Sequence, residues 1–386
     1  MQKINIGLLG YKFMGKAHSN AYSKLGMFFD LDAELVKKAV FGRDENWVSA
    51  AAKKFGWESY ETNWEKFVSR SDLDIIDITA PSNFHKEAAI AAAENGKHVF
   101  CEKPLALNTK DAKEILEVAK KHNIKHQVGF NYRFAPAIRL AKKIIDDGKI
   151  GQIYHFRGNY LQDFIIDPNF PLVWRLDKAV AGSGSHGDLG AHVIDLARYL
   201  VGDFSKVMGM QKTFIKERPI VEKMTGLSGS ASENASYGKV TVDDATIFMS
   251  EFENGALGVF EATRFSAGHK NDLSFEINGS KGSLRFDLLR INELEYFSRD
   301  DDPELQGFRN IQVTQDMHPY AANWWPAGHV IGYEHTFVHE FYEFFNTIIH
   351  DKPTSPDFYD GMKCCQVLEA VEKSVENGGF VAVSEI

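Results

Sequence analysis

The chain has 386 residues, 44 Lys and Arg against 53 Asp and Glu (formal net charge −9), with 44% hydrophobic and 25% charged residues. That length predicts two or three domains able to bury a core, and the acidic balance argues against a nucleic-acid partner, since phosphate backbones are met by clustered Lys and Arg. No run approaches the roughly 20 apolar residues of a membrane span, the first residues show no leader pattern, and Cys101, Cys364 and Cys365 have no disulfide or zinc spacing, so the expectation is a cytoplasmic enzyme with no membrane partner.

Short apolar runs alternate with helical patterns over the first 130 residues. Strands are expected at Ile4–Leu9, Leu35–Phe41, Leu73–Thr79, His98–Cys101 and Ile124–Phe130. Helices are expected over Ala17–Leu25, from Asp44 to Gly56, over Phe84–Asn95, and after Thr109, read as a cap. Strand and helix in strict alternation predict a doubly wound parallel sheet, a Rossmann domain over 1–130. Beyond it the pattern changes. A helix at Ala135–Asp147 and a strand at Ile153–Tyr160 precede a long irregular stretch, Leu161–Gly187, too long for a plain connector. A helix at Leu189–Val201 follows, then alternating strands with turn signals from Phe204 to Phe297, a polar loop at Ser228–Tyr237, and helices at Glu334–Ile349 and Gly361–Glu376. This predicts an α+β domain over 131–386 with a large, mostly antiparallel sheet.

Four segments carry chemistry. Gly10-Tyr11-Lys12-Phe13-Met14-Gly15 follows the first strand like a dinucleotide fingerprint, with Lys12 in place of the middle glycine. In such a turn the helix N-terminus offers free N–H groups to a pyrophosphate; an ordinary glycine turn would read the same way. Gly42-Arg43 ends the second strand, where a small residue and an arginine suit a 2′-phosphate better than a 2′-hydroxyl, so NAD(P) is expected with a lean to NADP. Glu102-Lys103-Pro104 ends another strand on the ligand-binding edge, making Lys103 a candidate to polarise a substrate oxygen, although most lysines are simply solvated. Asp188 and His192, spaced i, i+4 after a glycine cluster, suit a proton shuttle; a capping aspartate and a packed histidine are commoner for a single such pair, but the glycine-rich approach and the long loop before it favour the shuttle. The histidine pairs His122/His126 and His335/His339 lack a third ligand nearby, so no metal is expected.

Together these segments, with Thr79-Ala80-Pro81-Ser82-Asn83-Phe84-His85, resemble the Gfo/Idh/MocA oxidoreductases over essentially the whole chain. The resemblance implies catalytic roles for Lys103, Asp188 and His192, with His192 taking a hydroxyl proton, and a cis peptide before Pro104. It places Gly10, Lys12, Phe13, Met14, Gly15, Gly42, Arg43, Thr79, Pro81, Asn83, His85, Glu102 and Lys103 around the cofactor. A finer likeness, to the branch containing levoglucosan dehydrogenase, rests on Phe13–Ser19, Asn131-Tyr132-Arg133, Tyr160–Asp163, Trp174-Arg175 and Ala181–Gly184. That branch carries an acid where this chain has Gly42. Asn131, Tyr132, Arg133, Tyr160, Gln162, Asp163, Trp174 and Arg175 are the implied substrate residues, with Trp174-Arg175 equally readable as a loop anchor. The expected activity is NAD(P)-dependent oxidation of a secondary hydroxyl on a sugar, anhydrosugar or cyclitol, by a homodimer or homotetramer. The alternatives are a redox-neutral NAD-dependent glycosidase and a non-catalytic sugar or cofactor sensor.

Overall fold

A computed structural model of the chain describes residues 2–221 and 235–386. They form two compact units, the first of residues 1–134 and 332–365, the second of 135–331 and 366–386. The chain therefore returns to its first unit near its end, which a single boundary at 130 does not capture.

The first unit holds β1 (Gln2–Leu9), α1 (Phe13–Phe28), β2 (Ala33–Phe41), α2 (Glu45–Phe55), β3 (Ser59–Glu61), α3 (Trp64–Val68), β4 (Ile75–Ile78), α4 (His85–Glu94), β5 (His98–Glu102), α5 (Thr109–Lys121) and β6 (His126–Gly129). The six strands pair in parallel in the order β3-β2-β1-β4-β5-β6. Strand order reverses between β1 and β4, the switch point at which such sheets bind ligands. β3 and α3 escaped the sequence reading because Ser59-Tyr60-Glu61 is a short polar strand with no apolar run. The cap of α5 is Asn108, whose side chain accepts the Asp111 N–H at 2.8 Å, and not Thr109. α1 begins at Phe13, four residues before the expected Ala17, because the glycine turn leads straight into it.

The second unit contains α6 (Pro136–Asp146), β7 (Ile153–Leu161), α7 (Lys178–Ala181), α8 (Ala191–Leu200), β8 (Phe204–Lys212), β9 (Glu217–Pro219), β10 (Tyr237–Lys239), β11 (Ala245–Phe252), β12 (Leu257–Thr263), β13 (Asp272–Gly279), β14 (Gly282–Asp287), β15 (Glu293–Ser298) and β16 (Arg309–Gln312). α9 (Tyr333–Ile349) belongs to the first unit, α10 (Phe358–Asn377) contributes to both, and β17 (Val381–Ala382) completes the second. The large sheet runs β16-β15-β14-β13-β7-β12-β11-β8-β17, antiparallel throughout except for the parallel β7–β12 pair. Much of the expected polar loop Ser228–Tyr237 lies outside the described residues, and Tyr237 opens β10.

Period-two patterning sets the two faces of that sheet. Phe156, Phe248, Phe252 and Phe260 point inward, with the Phe248 and Phe260 rings stacked at 4.3 Å. Gly158 on β7 leaves room for Val193 of α8, since a Cβ there would lie 2.5 Å from a Val193 methyl. The opposite face exposes Met210, Ile247, Met249, Leu257 and Val259, paired across strands as Ile247 with Met210 and Met249 with Val259. The irregular stretch after β7 is ordered by its own apolar cluster (Ile165, Leu176, Val240, Val242) and by fully buried Arg218, which donates to the carbonyls of Ile165 (2.5 Å), Asp167 (2.8 Å) and Phe170 (3.2 Å).

Candidate active site

The turn between β1 and α1 is built for close backbone approach. Gly10 has φ +113°, and a Cβ there would meet Thr79 Oγ1 at 2.7 Å; a Cβ on Gly15 would lie 2.8 Å from the Gly10 carbonyl carbon. Both positions demand glycine. Thr79, just past β4, donates its hydroxyl to the Gly10 carbonyl at 3.0 Å and so braces the turn. Lys12 stands at the cap of α1 without a side-chain bond to it, leaving the helix N–H groups available to an anion, which fits a dinucleotide pyrophosphate. Lys12 and Phe13 are exposed and Met14 half-buried. At the end of β2, Gly42 is buried and Arg43 exposed, while Asp44 spends its carboxylate capping α2 through the Trp47 N–H at 3.0 Å.

Pro81 and Asn83 lie exposed beyond β4. The buried His85 ring faces two carbonyls, of Pro104 (2.8 Å) and Ala80 (2.9 Å). Burial lowers its pKa against the effect of those carbonyls, and the ring, set between them, places α4 against the segment after Lys103. The Lys103–Pro104 peptide is cis. Glu102, just before Lys103, joins a buried charge cluster that sequence reading missed. His18 of α1 donates from Nδ1 to Asp77 at 2.8 Å and from Nε2 to Glu102 at 3.1 Å, and Tyr22 donates to Asp77 at 2.6 Å. Burial alone would lower the His18 pKa, but the charges and hydrogen bonds of Asp77 and Glu102 outweigh it and push it up to about 10. Glu340 of α9 is buried beside them, its carboxyl pushed well up by burial and by Glu102. The second oxygen of Glu102 accepts the Lys103 N–H at 3.2 Å, so the helix behind the glycine turn is joined through His18 to the strand end that presents Lys103.

In the second unit the glycine cluster is clamped by another residue that sequence reading missed, Asp243. Its buried carboxylate accepts the N–H of Gly184 (2.7 Å) and of His186 (2.9 Å), and the hydroxyls of Ser185 (2.5 Å) and Thr246 (3.0 Å). Gly184 sits so close that a Cβ there would lie 2.8 Å from the Asp243 carbonyl carbon. The chain then runs through a π turn, His186–Gly190, and α8 starts at Ala191 instead of Leu189. Asp188 lies in that wide turn, so the α-helical i, i+4 face expected for Asp188 and His192 is replaced by a π turn feeding the first turn of α8. Single π turns recur at functional sites. Arg264, 1% exposed, donates to Asp188 at 2.8 Å and to the Gly184 carbonyl at 3.1 Å. The His192 ring lies 5.9 Å from that of Tyr160. Tyr160 and Gln162 both donate to Asn271 at 2.7 Å, and Arg175 lies over the Trp174 ring at 4.4 Å. Burial lowers the Arg175 pKa, opposed by the nearby Asp188. Asp163 instead binds Lys270 (2.8 Å) and the Gly268 N–H (3.1 Å).

The structure thus divides the substrate candidates. Asn131, Tyr132 and Arg133 are buried in the first unit, where Asn131 donates to Thr336 at 2.8 Å, Arg133 pairs with Asp360 at 3.3 Å and Tyr132 packs 6.2 Å from Tyr333. Tyr160, Gln162, Asp163, Trp174 and Arg175 lie in the second. Arg264, Asp243 and Asn271 carry no local motif; only a buried arginine or aspartate near a strand end would have signalled them. Among the described residues no group of three or more His, Cys, Asp or Glu side chains is placed to hold a metal ion, and no helix is long and apolar enough to cross a membrane.

Residues 4–130 match the family described as "Oxidoreductase family, NAD-binding Rossmann fold", and residues 138–285 match the GFO/IDH/MocA C-terminal domain. The levoglucosan dehydrogenase of Pseudarthrobacter phenanthrenivorans is 42% identical over 389 residues, covering 100% of both chains. Among solved structures, an oxidoreductase domain protein from Kribbella flavida superposes with a TM-score of 0.94 at 46% identity, over 99% of this chain and 100% of that one. A levoglucosan dehydrogenase in complex with NADH and levoglucosan superposes with a TM-score of 0.93 at 42% identity, over 99% and 100%. On these matches, the chain belongs to the GFO/IDH/MocA family of oxidoreductases.

Proposed function

We propose that the protein oxidises a secondary hydroxyl of a sugar, anhydrosugar or cyclitol with NAD(P). The observation that carries this reading is the Asp188–Arg264 pair at 2.8 Å in the π turn that leads to His192, beside Tyr160, Gln162 and Arg175, whose polar groups suit sugar hydroxyls and whose neighbouring aromatic faces suit a ring's apolar side. The glycine turn and uncapped α1 N-terminus hold the pyrophosphate, and Gly42 with Arg43 turns the site toward a 2′-phosphate. A bound nicotinamide supplies the acceptor for the hydride that leaves the carbinol carbon.

The chain's own residues do the rest. His192 takes the hydroxyl proton on a ring nitrogen as the carbonyl forms. Lys103 directs its ammonium at the substrate oxygen and stabilises the negative charge that develops there. Asp188, fixed by Arg264, orients the hydroxyl as a hydrogen-bond acceptor. The curated levoglucosan dehydrogenase at 42% identity supports an anhydrosugar among the substrates. The exposed apolar face of the large sheet, Met210, Ile247, Met249, Leu257 and Val259, supports a homodimer or homotetramer joined through that face, and three buried thiols suit a reducing cytoplasm. The test is a panel of sugars, anhydrosugars and cyclitols assayed with NAD and NADP in parallel, read by reduced-nicotinamide absorbance. Turnover of at least one is expected; no reduction with any of them overturns the proposal, and bond cleavage without net reduction would favour the glycosidase alternative.

A further inference from the structure

A doubly wound domain reads the adenosine ribose at the end of its second strand, with a carboxylate for a 2′-hydroxyl or a small residue and an arginine for a 2′-phosphate. In this chain that place is closed to any side chain. A Cβ on Gly42 would lie 2.6 Å from Cδ1 of Tyr11 and 3.0 Å from Cβ of Val48. The phenol ring of Tyr11, the second residue of the glycine turn, therefore occupies the space in which a side chain of residue 42 would start.

The carboxylates nearby are engaged. Asp44 accepts the Trp47 N–H at 3.0 Å, Glu45 the Tyr60 hydroxyl at 3.2 Å, and Glu61 the N–H groups of Thr62 and Asn63 at 2.8 and 3.1 Å. Lys12 follows Tyr11 and Arg43 follows Gly42, both exposed. Burial, then Asp44, raises the Tyr11 pKa and Arg43 lowers it, so the ring stands among these charges as a neutral phenol.

We propose that Tyr11, by lying across Gly42, is the specificity-determining residue of the dinucleotide site: it excludes a ribose-reading carboxylate and leaves Arg43 and Lys12 to meet a 2′-phosphate, so that the chain takes NADP(H) in preference to NAD(H). The inference rests on reading the first unit as the dinucleotide site and deepens it. It also marks a difference from the similar enzyme whose structure holds NADH.

Calorimetric titration of the full chain with NADPH and with NADH, in the absence of any sugar, tests it. The wild type should bind NADPH at least about ten-fold more tightly, and Arg43→Gln should lose about ten-fold for NADPH while leaving NADH within about two-fold. Gly42→Asp alone should weaken both, because Tyr11 is displaced into the site. Tyr11→Gly combined with Gly42→Asp should bind NADH about ten-fold more tightly than Gly42→Asp alone, a coupling that only touching residues show. Arg43 is exposed, so its variant folds whatever happens at position 42. Equal wild-type affinity for the two dinucleotides overturns the proposal, as does a Gly42→Asp variant that gains NADH as fully as the double variant. Sugar turnover that prefers NAD sinks this inference and sustains the dehydrogenase reading; tighter NADPH binding with no turnover of any sugar does the reverse.

Discussion

The two glycine clusters are held in shape by different means. In the first, Gly10 and Gly15 crowd each other, and Thr79, 69 residues further on at the end of the neighbouring strand β4, braces the turn with its hydroxyl. In the second, Gly184 is required by Asp243, 59 residues further on, whose carboxylate collects four donors from the turn and its surroundings. The first cluster is shaped mainly by backbone crowding and one hydroxyl; the second takes its shape from one buried carboxylate brought in by the large sheet. The π turn that carries Asp188 depends on whatever positions β11.

The variants that probe this contrast differ in size. Lys103→Ala removes the group assigned to the developing oxyanion, and kcat should fall about 1,000-fold while the dinucleotide dissociation constant stays within about two-fold; a matching loss of dinucleotide affinity would show that Lys103 serves binding instead. Asp243→Ala should cost about 3 kcal/mol in urea denaturation, because it strands buried N–H and hydroxyl donors, and should abolish turnover with the π turn. A loss below about 1 kcal/mol would mean the turn holds itself.

Glu340→Gln gives an intermediate, pH-dependent effect. Burial raises the Glu340 pKa, so the native state keeps a proton that the unfolded chain has released above its ordinary carboxylate value. Its contribution is full below that value and is lost as pH rises toward the native one. His18 acts in the same direction, its stabilisation complete below about 6.5 and lost as pH passes about 10. Wild-type urea midpoints should therefore fall from about pH 6 to about pH 9, and Glu340→Gln should flatten the fall; parallel slopes would refute the assignment. Asp44→Ala, which removes a purely local cap, should cost only about 1 kcal/mol, and a cost equal to that of Asp243→Ala would erase the contrast.

Legibility in the sequence follows the same division. The five strands of the parallel sheet with strong apolar runs, the glycine turn and the strand-end Lys103 could be read because each is encoded by neighbours within one element or turn. β3 could not, since Ser59-Tyr60-Glu61 borrows its strand character from pairing with β2. Asp188 and His192 were readable as a pair, but the π turn between them was not, because it is imposed by Asp243 and Arg264 from across the sheet. His18 looked like part of a helix pattern; its partners Asp77 and Glu102 lie on two separate strands. The lean toward NADP came from Gly42 and Arg43 alone, and the ring that makes Gly42 necessary came only with the fold.

The late return of the chain to its first unit bears on how the protein is made. Phe337 and Phe341 of α9 pack against His18, and Phe341 also against Tyr22 and Phe100. During synthesis the parallel sheet emerges first, yet the aromatic wall that closes its core is translated only after the whole span 135–331. Domains usually fold in the order they leave the ribosome. Here the nascent nucleotide-binding sheet must wait, with one apolar flank open, until nearly the last helix arrives, so a ribosome that stalls before residue 332 holds an incomplete domain at each end of its product.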